Sequence, residues 1–223
     1  MSDIETLDAL LSRRHSCRGF RGDPVPDAVV ERIVATAGKV PSWCNAQPWQ
    51  VVVTRLAETD RLRTALFAEA QTGAQAPDIA FPARYAGVYQ ARRRDCGWAL
   101  YDAVGVAKGD RAASARQMLE NFRFFDAPHH ALVTTEADLG AYGVLDCGAF
   151  VTAFTLAAEA LGIATIPQAA VAGLSPFLRR WFDLPENRQV VCGISFGYRD
   201  DTHPANAFRT TRAGLDEVLT WKG

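Results

Sequence analysis

The densest concentration of chemistry in the chain is one run of six residues, Arg13-Arg14-His15-Ser16-Cys17-Arg18. Guanidinium forks and a serine hydroxyl are what a phosphate dianion requires, because bidentate charge-assisted hydrogen bonds fix both its place and its orientation. The competing reading is a solvated basic helix end that complements its own dipole. A second basic pair, Arg209-Thr-Thr-Arg212, stands far along the chain and could converge with the first on one phosphate. The loop Pro41-Ser42-Trp43-Cys44-Asn45-Ala46-Gln47-Pro48-Trp49 sets Asn and Gln between two prolines. Their amides donate and accept at once, which suits the polar edge of a planar heterocycle. A proline-stiffened connection would read the same way.

Other chemistries lack their patterns. The chain contains no G-x-G and no P-loop, so nucleotide binding in those forms is excluded. Gly193-Ile-Ser195-Phe-Gly197 matches the G-x-S-x-G nucleophile elbow, but that elbow needs a helix after the serine, and Tyr198 to Pro204 reads as a turn. A glycine-flanked central strand is expected there instead. The five cysteines, Cys17, Cys44, Cys96, Cys147 and Cys192, form no C-x-x-C and have no histidine spaced to complete a zinc site. Free thiols and no metal are expected. His129 and His130 are adjacent and would point in different directions on any regular element.

These residues need elements to place them. Ser2 and Glu5 form a capping box, followed by Ile4, Leu7, Leu10 and Leu11 on one helical face, which predicts a helix to about Arg13. Asp27 caps a second helix ending near Gly38. The segment Trp49 to Thr54 reads as a strand, and a third helix is expected from about Glu58 to Ala70. Thr72 to Pro82, with Gly73, Pro77 and Pro82, breaks any regular pattern and suggests a hinge or lid entrance. Residues 83–122 read as helical and rich in aromatics and arginines, and Ala131 to Thr135 as a strand. Tyr142 to Leu161 is apolar on nearly every face, as a helix buried on all sides would be. A strand near Thr165, a helix from Ser175 to Phe182, a strand from Gln189 to Gly197 and a polar tail complete an α+β pattern.

Lys and Arg number 24 against 25 Asp and Glu, so the formal charge of −1 supplies no field to attract nucleic acid or an anionic membrane. Val144 to Leu161 carries Asp146 and Glu159 and reads as a core helix and not a membrane span. The start, Met1-Ser2-Asp3-Ile4-Glu5, lacks the basic and then apolar run of a signal peptide, so a cytoplasmic protein is expected.

Four motifs stand in order: R-R-x-S-x-R-x-F followed by P-V-P, then P-S-x-x-N-x-Q-P-W, then G-I-A-T-I-P-Q-A-A at 162–170, then G-Y-x-D…P-x-N…R…R. Together they resemble the FMN-dependent nitroreductase family over nearly the whole chain, most weakly between about 72 and 120. The resemblance implies one domain over 1–223, with a central mixed or antiparallel sheet wrapped by helices and a helical cap inserted at about 72–122. It implies an intertwined homodimer with FMN at the subunit interface. Arg14, His15 and Ser16 would meet the ribityl phosphate, and Arg212 would close that site. Arg18 would lie near flavin N1 and the C2 carbonyl, where reduction leaves negative charge that a fixed cation stabilises. Pro41, Ser42, Asn45 and Gln47 would reach FMN from the partner subunit. Pro167, Gln168 and Ala169 would line the opposite side, where a backbone N–H can address N5.

The implied activity is hydride transfer from NAD(P)H through FMN to a nitroaromatic or quinone-like acceptor in two alternating steps, with the chemistry at flavin N5 and no catalytic side chain. Alternatives within the same fold are a reductive dehalogenase, a metabolite oxidase or dehydrogenase, or a flavin-binding regulatory or storage protein. Trp43 and Cys44 depart from the small polar residues frequent at those loop positions. The cap aromatics, from Tyr85 to Phe125, could stack on a flat substrate or belong to the core.

Overall fold

The computed structural model describes residues 2–72, without the side chain of Thr72, and residues 74–223. In chain order the helices are α1 (Asp3–Arg13), α2 (Asp27–Ala37), α3 (Leu56–Thr72), α4 (Gly87–Ala103), α5 (Arg111–Leu119), α6 (Gly140–Ala160), α7 (Ala169–Ala172), α8 (Ser175–Phe182) and α9 (Leu215–Val218). The strands are β1 (Gln50–Arg55), β2 (His129–Glu136), β3 (Ala164–Gln168) and β4 (Arg188–Gly197). They form one sheet in the order β1-β2-β4-β3, antiparallel throughout.

The period-two alternation of the strands sorts the core onto two faces. Ala131 and Val133 of β2, with Ile194 and Phe196 of β4, pack against Ile33 of α2 and Phe150 and Phe154 of α6. On the other face Leu132, Ile166 and Val190 meet Leu62 and Leu66 of α3, Phe122, Phe124 and Leu178 of α8. His129 and His130 point to opposite faces as their adjacency requires: His129 stacks on Phe196, and His130 stacks on Phe124.

The capping box of α1 is formed, with Ser2 N–H donating to Glu5 Oε2 at 2.7 Å and Glu5 N–H to Ser2 Oγ at 3.4 Å. Arg14 then turns extended. The segment that follows runs beside β3, where Ser16 pairs in parallel with Thr165 and Cys17 N–H donates to the Thr165 carbonyl at 3.0 Å. One short pairing therefore sets the register of the arginine run against the end of the sheet.

Four expectations need correction. The helical stretch over 83–122 is two helices, because the linker between them holds Gly105 and Gly109 at φ of 71° and 93°, which a continuing helix cannot accept. Helix α6 begins at Gly140 and is not buried on every side: Tyr142, Leu145, Gly148 and Thr152 form an exposed stripe. Its length and apolar composition alone would allow it to cross a membrane, but it lies against the sheet through Phe150 and Phe154. The polar tail contains the short helix α9. The stretch read as a hinge is clamped over 76–78. Asp78 takes two hydrogen bonds from Arg179 Nη2 at 3.0 and 2.9 Å and one from Val190 N–H at 2.8 Å. Gly73, which prompted the hinge reading, lies outside the described residues.

Helices α4 and α5 carry no buried residue. Their return to the sheet passes through Phe124, Phe125 and Asp126, consecutive residues at φ of 60°, 51° and 62°. Left-handed backbone costs a non-glycine residue roughly 1–2 kcal/mol, so this turn needs external support. Arg63 supplies part of it by donating to the carbonyls of Arg123 and Ala127 at 2.9 and 2.5 Å.

Candidate functional site

A cavity of about 540 Å³ opens between the end of α1, the arginine run, α4 and the segment after Asn206. Its charged and polar lining includes Arg14, His15, Ser16, Arg18, Arg209 and Arg212. Among the described residues, no carboxylate pairs with Arg14, Arg18, Arg209 or Arg212. Glu159, the acid that favours the charged form of Arg14, is itself paired with Arg13 at 3.3 Å. Burial and then the charge of Arg212 push the pKa of Arg14 down. Burial also lowers that of His15, and the charges of Arg209 and Arg199 add to it against a hydrogen bond to the Arg13 carbonyl. His15 Nδ1 lies 3.0 Å from that carbonyl, while Nε2 is buried with no partner among the described residues.

Arg18 is held most firmly. Its N–H donates to Asn206 Oδ1 at 2.7 Å, its guanidinium donates to the Ser16 carbonyl at 3.3 Å, and its Cζ sits 6.0 and 5.8 Å from the ring centres of Phe125 and Phe208. Asn206 in turn donates to the carbonyls of Gly19 and Asp200 at 2.9 and 2.8 Å. The P-x-N motif thus has a physical role that the sequence left unstated: it fixes the backbone that carries Arg18. Arg209 Nη1 donates to the Asn206 and Phe208 carbonyls, and Arg212 Nη1 to Thr210 Oγ1 at 2.9 Å, which holds both side chains in place.

Of the residues singled out in the sequence, Arg14, His15, Ser16, Arg18, Arg209 and Arg212 share this cavity. Phe208 and Cys96 join them, and nothing in the sequence marked either. Pro167, Gln168 and Ala169 do not line the cavity; they follow Thr165, whose pairing with Ser16 sets β3 alongside the arginine run. The side chain of Gln168 faces the core at 2% exposure and both ends of its amide are engaged, so only its backbone could face a ligand.

Pro41, Ser42, Asn45 and Gln47 lie elsewhere, at the N-terminal end of α6, and do not line the cavity. Ser42 Oγ accepts from Gln47 N–H at 2.9 Å, and Trp43 N–H donates to buried Asp146 at 3.0 Å. Cys44, Asn45 and Gln47 are all left-handed, at φ of 50°, 56° and 48°. The loop is stiff and turned outward. Ser195 is an interior residue of β4, as expected from its context, and no nucleophile elbow exists there.

One antiparallel sheet wrapped by helices, with an arginine cluster that no carboxylate among the described residues pairs, is the frame of the molecule. A sequence model of the nitroreductase family matches residues 11–198, and the chain belongs to that family. It is 37% identical over 220 residues to the nitroreductase NfnB of Mycolicibacterium smegmatis, covering 96% of this chain and 92% of that one. It is 30% identical to a 4-nitrobenzoate reductase of Pseudomonas putida, covering 93% and 92%. The crystal structure of the FMN-dependent NfnB from Mycobacterium smegmatis in complex with NADPH superposes with a TM-score of 0.94 at 34% identity over the whole of both chains.

Proposed function

We propose that the chain is an FMN-dependent oxidoreductase that passes hydride from NAD(P)H to a nitroaromatic or quinone-like acceptor. The observation that carries this reading is the convergence of Arg14, Arg18, Arg209 and Arg212 on one cavity without a counter-anion among the described residues. Like charges held together by a fold raise its free energy unless a ligand offsets them, and a phosphate dianion does so with fixed geometry. The unpartnered Nε2 of His15 and the hydroxyl of Ser16 add to the same donor set. The residues therefore fit FMN. Its NfnB relative is an FMN-dependent nitroreductase crystallised with NADPH, which supports both the cofactor and the donor.

Bound FMN supplies the redox chemistry, taking two electrons and a proton as hydride from NAD(P)H and yielding them to the acceptor in a second step. The protein supplies binding, orientation and charge. Arg14, His15, Ser16 and Arg212 hold the phosphate. Arg18, fixed by Asn206 and flanked by Phe125 and Phe208, is the preorganised cation for the pyrimidine end of the flavin. The backbone of Pro167, Gln168 and Ala169 lines the side beside Arg18. No side chain acts as a nucleophile.

A homodimer completes this reading. Trp43 (63% exposed), Tyr142 (55%) and Leu145 (65%) form an apolar face at the outward loop. The edge strand β1 and α2 enclose an open cavity of about 440 Å³ lined by Val30, Val34, Val51 and Val53. Leu215, Val218 and Trp221 are also exposed. Exposed apolar surface of this kind marks an interface, and a second copy would bring Pro41, Ser42, Asn45 and Gln47 to FMN across it. Helices α4 and α5 act as the cap of a single domain.

The test is a visible absorption spectrum of the purified protein, repeated anaerobically after NADH and then NADPH. A flavin band that bleaches with either donor, with reoxidation by a nitroarene, is the expected result. A colourless protein that cannot be reconstituted with FMN overturns the reading.

A further inference from the structure

Behind the cavity, a line of hydrogen bonds crosses three strands. Gln168 Nε2 donates to the backbone carbonyl of Asn121 at 2.8 Å. Gln168 Oε1 accepts from Ser195 Oγ at 2.5 Å, and Ser195 Oγ lies 3.1 Å from His130 Nδ1. The direction of the line can be deduced. The serine proton is committed to Gln168, so the serine lone pair must accept from His130, which places the imidazole proton on Nδ1. His130 Nε2 is then a bare nitrogen, and it is indeed buried with no partner. A side chain at residue 193 would collide with this ring, since a Cβ there would meet Cε1 of His130 at 2.3 Å, so Gly193 is what lets the imidazole in. Burial holds the imidazole neutral, its pKa pushed down to about 3.

Two members of the line bear on the functional site. Gln168 follows Pro167 on β3, the strand whose Thr165 pairs with Ser16 of the arginine run. Asn121, whose carbonyl ends the line, opens the strained turn in which Phe124 stacks on His130 with ring centres 4.0 Å apart, and Phe125 lies against Arg18. The Gln168 amide therefore restrains both supports of the flavin edge. We propose that Gln168 is a positioning residue, whose side-chain amide sets the β3 backbone and, through the turn at 121–125, the ring against Arg18. This rests on the FMN reading above.

Glutamate at the same position provides a titratable copy of the amide. Protonated, Gln168→Glu can still accept from Ser195 and donate to the Asn121 carbonyl. Ionised, it turns an acceptor on that carbonyl. The neighbours of this group are His130 from β2, neutral, and Glu120 of the turn, which pairs with Arg123 at 3.4 Å. FMN dissociation constants and bound-flavin spectra of the wild type, Gln168→Glu and Gln168→Leu are measured from pH 5 to 8, with circular dichroism to check the fold. The expected result is that Gln168→Leu binds FMN about tenfold more weakly with a displaced flavin band, the loss of one well-formed hydrogen-bond pair. Gln168→Glu should match the wild type at low pH and fall behind it as pH rises. Affinity ratios that stay flat with pH in Gln168→Glu, with an unchanged spectrum, overturn the proposal, whether or not Gln168→Leu folds. A wild type that takes up no FMN overturns the function reading itself.

Discussion

The interior of the sheet behind β3 and the cavity beside it handle polar groups in opposite ways. Behind β3 the groups are neutral and answer one another, His130 to Ser195 to Gln168 to the Asn121 carbonyl, and the one nitrogen without a partner carries no proton. Beside it, Arg14, Arg18, Arg209 and Arg212 line a common space, and among the described residues no carboxylate pairs with them. Burial weakens the charged form in both places, at His130 as at Arg14. Histidine yields by giving up its proton, whereas arginine, whose pKa starts so high, keeps its charge at neutral pH. The first region is satisfied within the chain; under the function proposed above, the FMN phosphate completes the second.

The comparison can be broken at either side. The largest effect should come from the self-sufficient core: Phe150→Ala removes a fully buried ring that packs on Trp49 and Phe154, and should cost about 3–5 kcal/mol in denaturant unfolding. A cost below about 1 kcal/mol would mean that α6 is not seated as described. The cavity should respond in the opposite sense. Arg14→Ala with Arg212→Ala should weaken FMN binding by about 100-fold, or about 2.7 kcal/mol, with an apo melting temperature equal to or above that of the wild type, because a repulsive pair has gone. A clear drop in apo stability would show that these arginines have structural partners after all.

The smallest effect concerns His130. Its pKa of about 3 lies below the ordinary 6.5, so below pH 6.5 the unfolded chain binds a proton that the folded chain refuses. Stability is therefore full above pH 6.5 and should fall by about 2 kcal/mol between pH 7 and 5. Urea midpoints at pH 7, 6 and 5 check this, and His130→Gln should flatten that part of the slope. An identical slope in the variant would place the proton uptake elsewhere.

Much of this was legible in the sequence. The β-branched runs gave all four strands to within a few residues, because strand propensity and burial agree there. The arginine run and Arg212 were legible because phosphate chemistry requires a recognisable set of side chains. The helical character of 83–122 was legible, but its division into two helices was not, because the break depends on two glycines in a polar linker, a weak signal when neither helix has a buried face to give it period. The alternation of Gln168 with Ala164 and Ile166, both buried, already directed its side chain into the core, which leaves its backbone as the part that could face a ligand.

By itself, the sequence determined which segments become strands and helices and which side chains can bind a phosphate, since both follow from local chemistry and spacing. Only the tertiary structure decided that residues 14–18 and 209–212 share a cavity, that Asn206 fixes Arg18, and that a serine, a histidine and a glutamine from three strands form one directed line. Those relations join residues as distant in the chain as Arg14 and Arg212, and no local preference encodes them. They exist because the sheet must bury both faces at once, and its strand order then dictates which distant polar groups are left to meet.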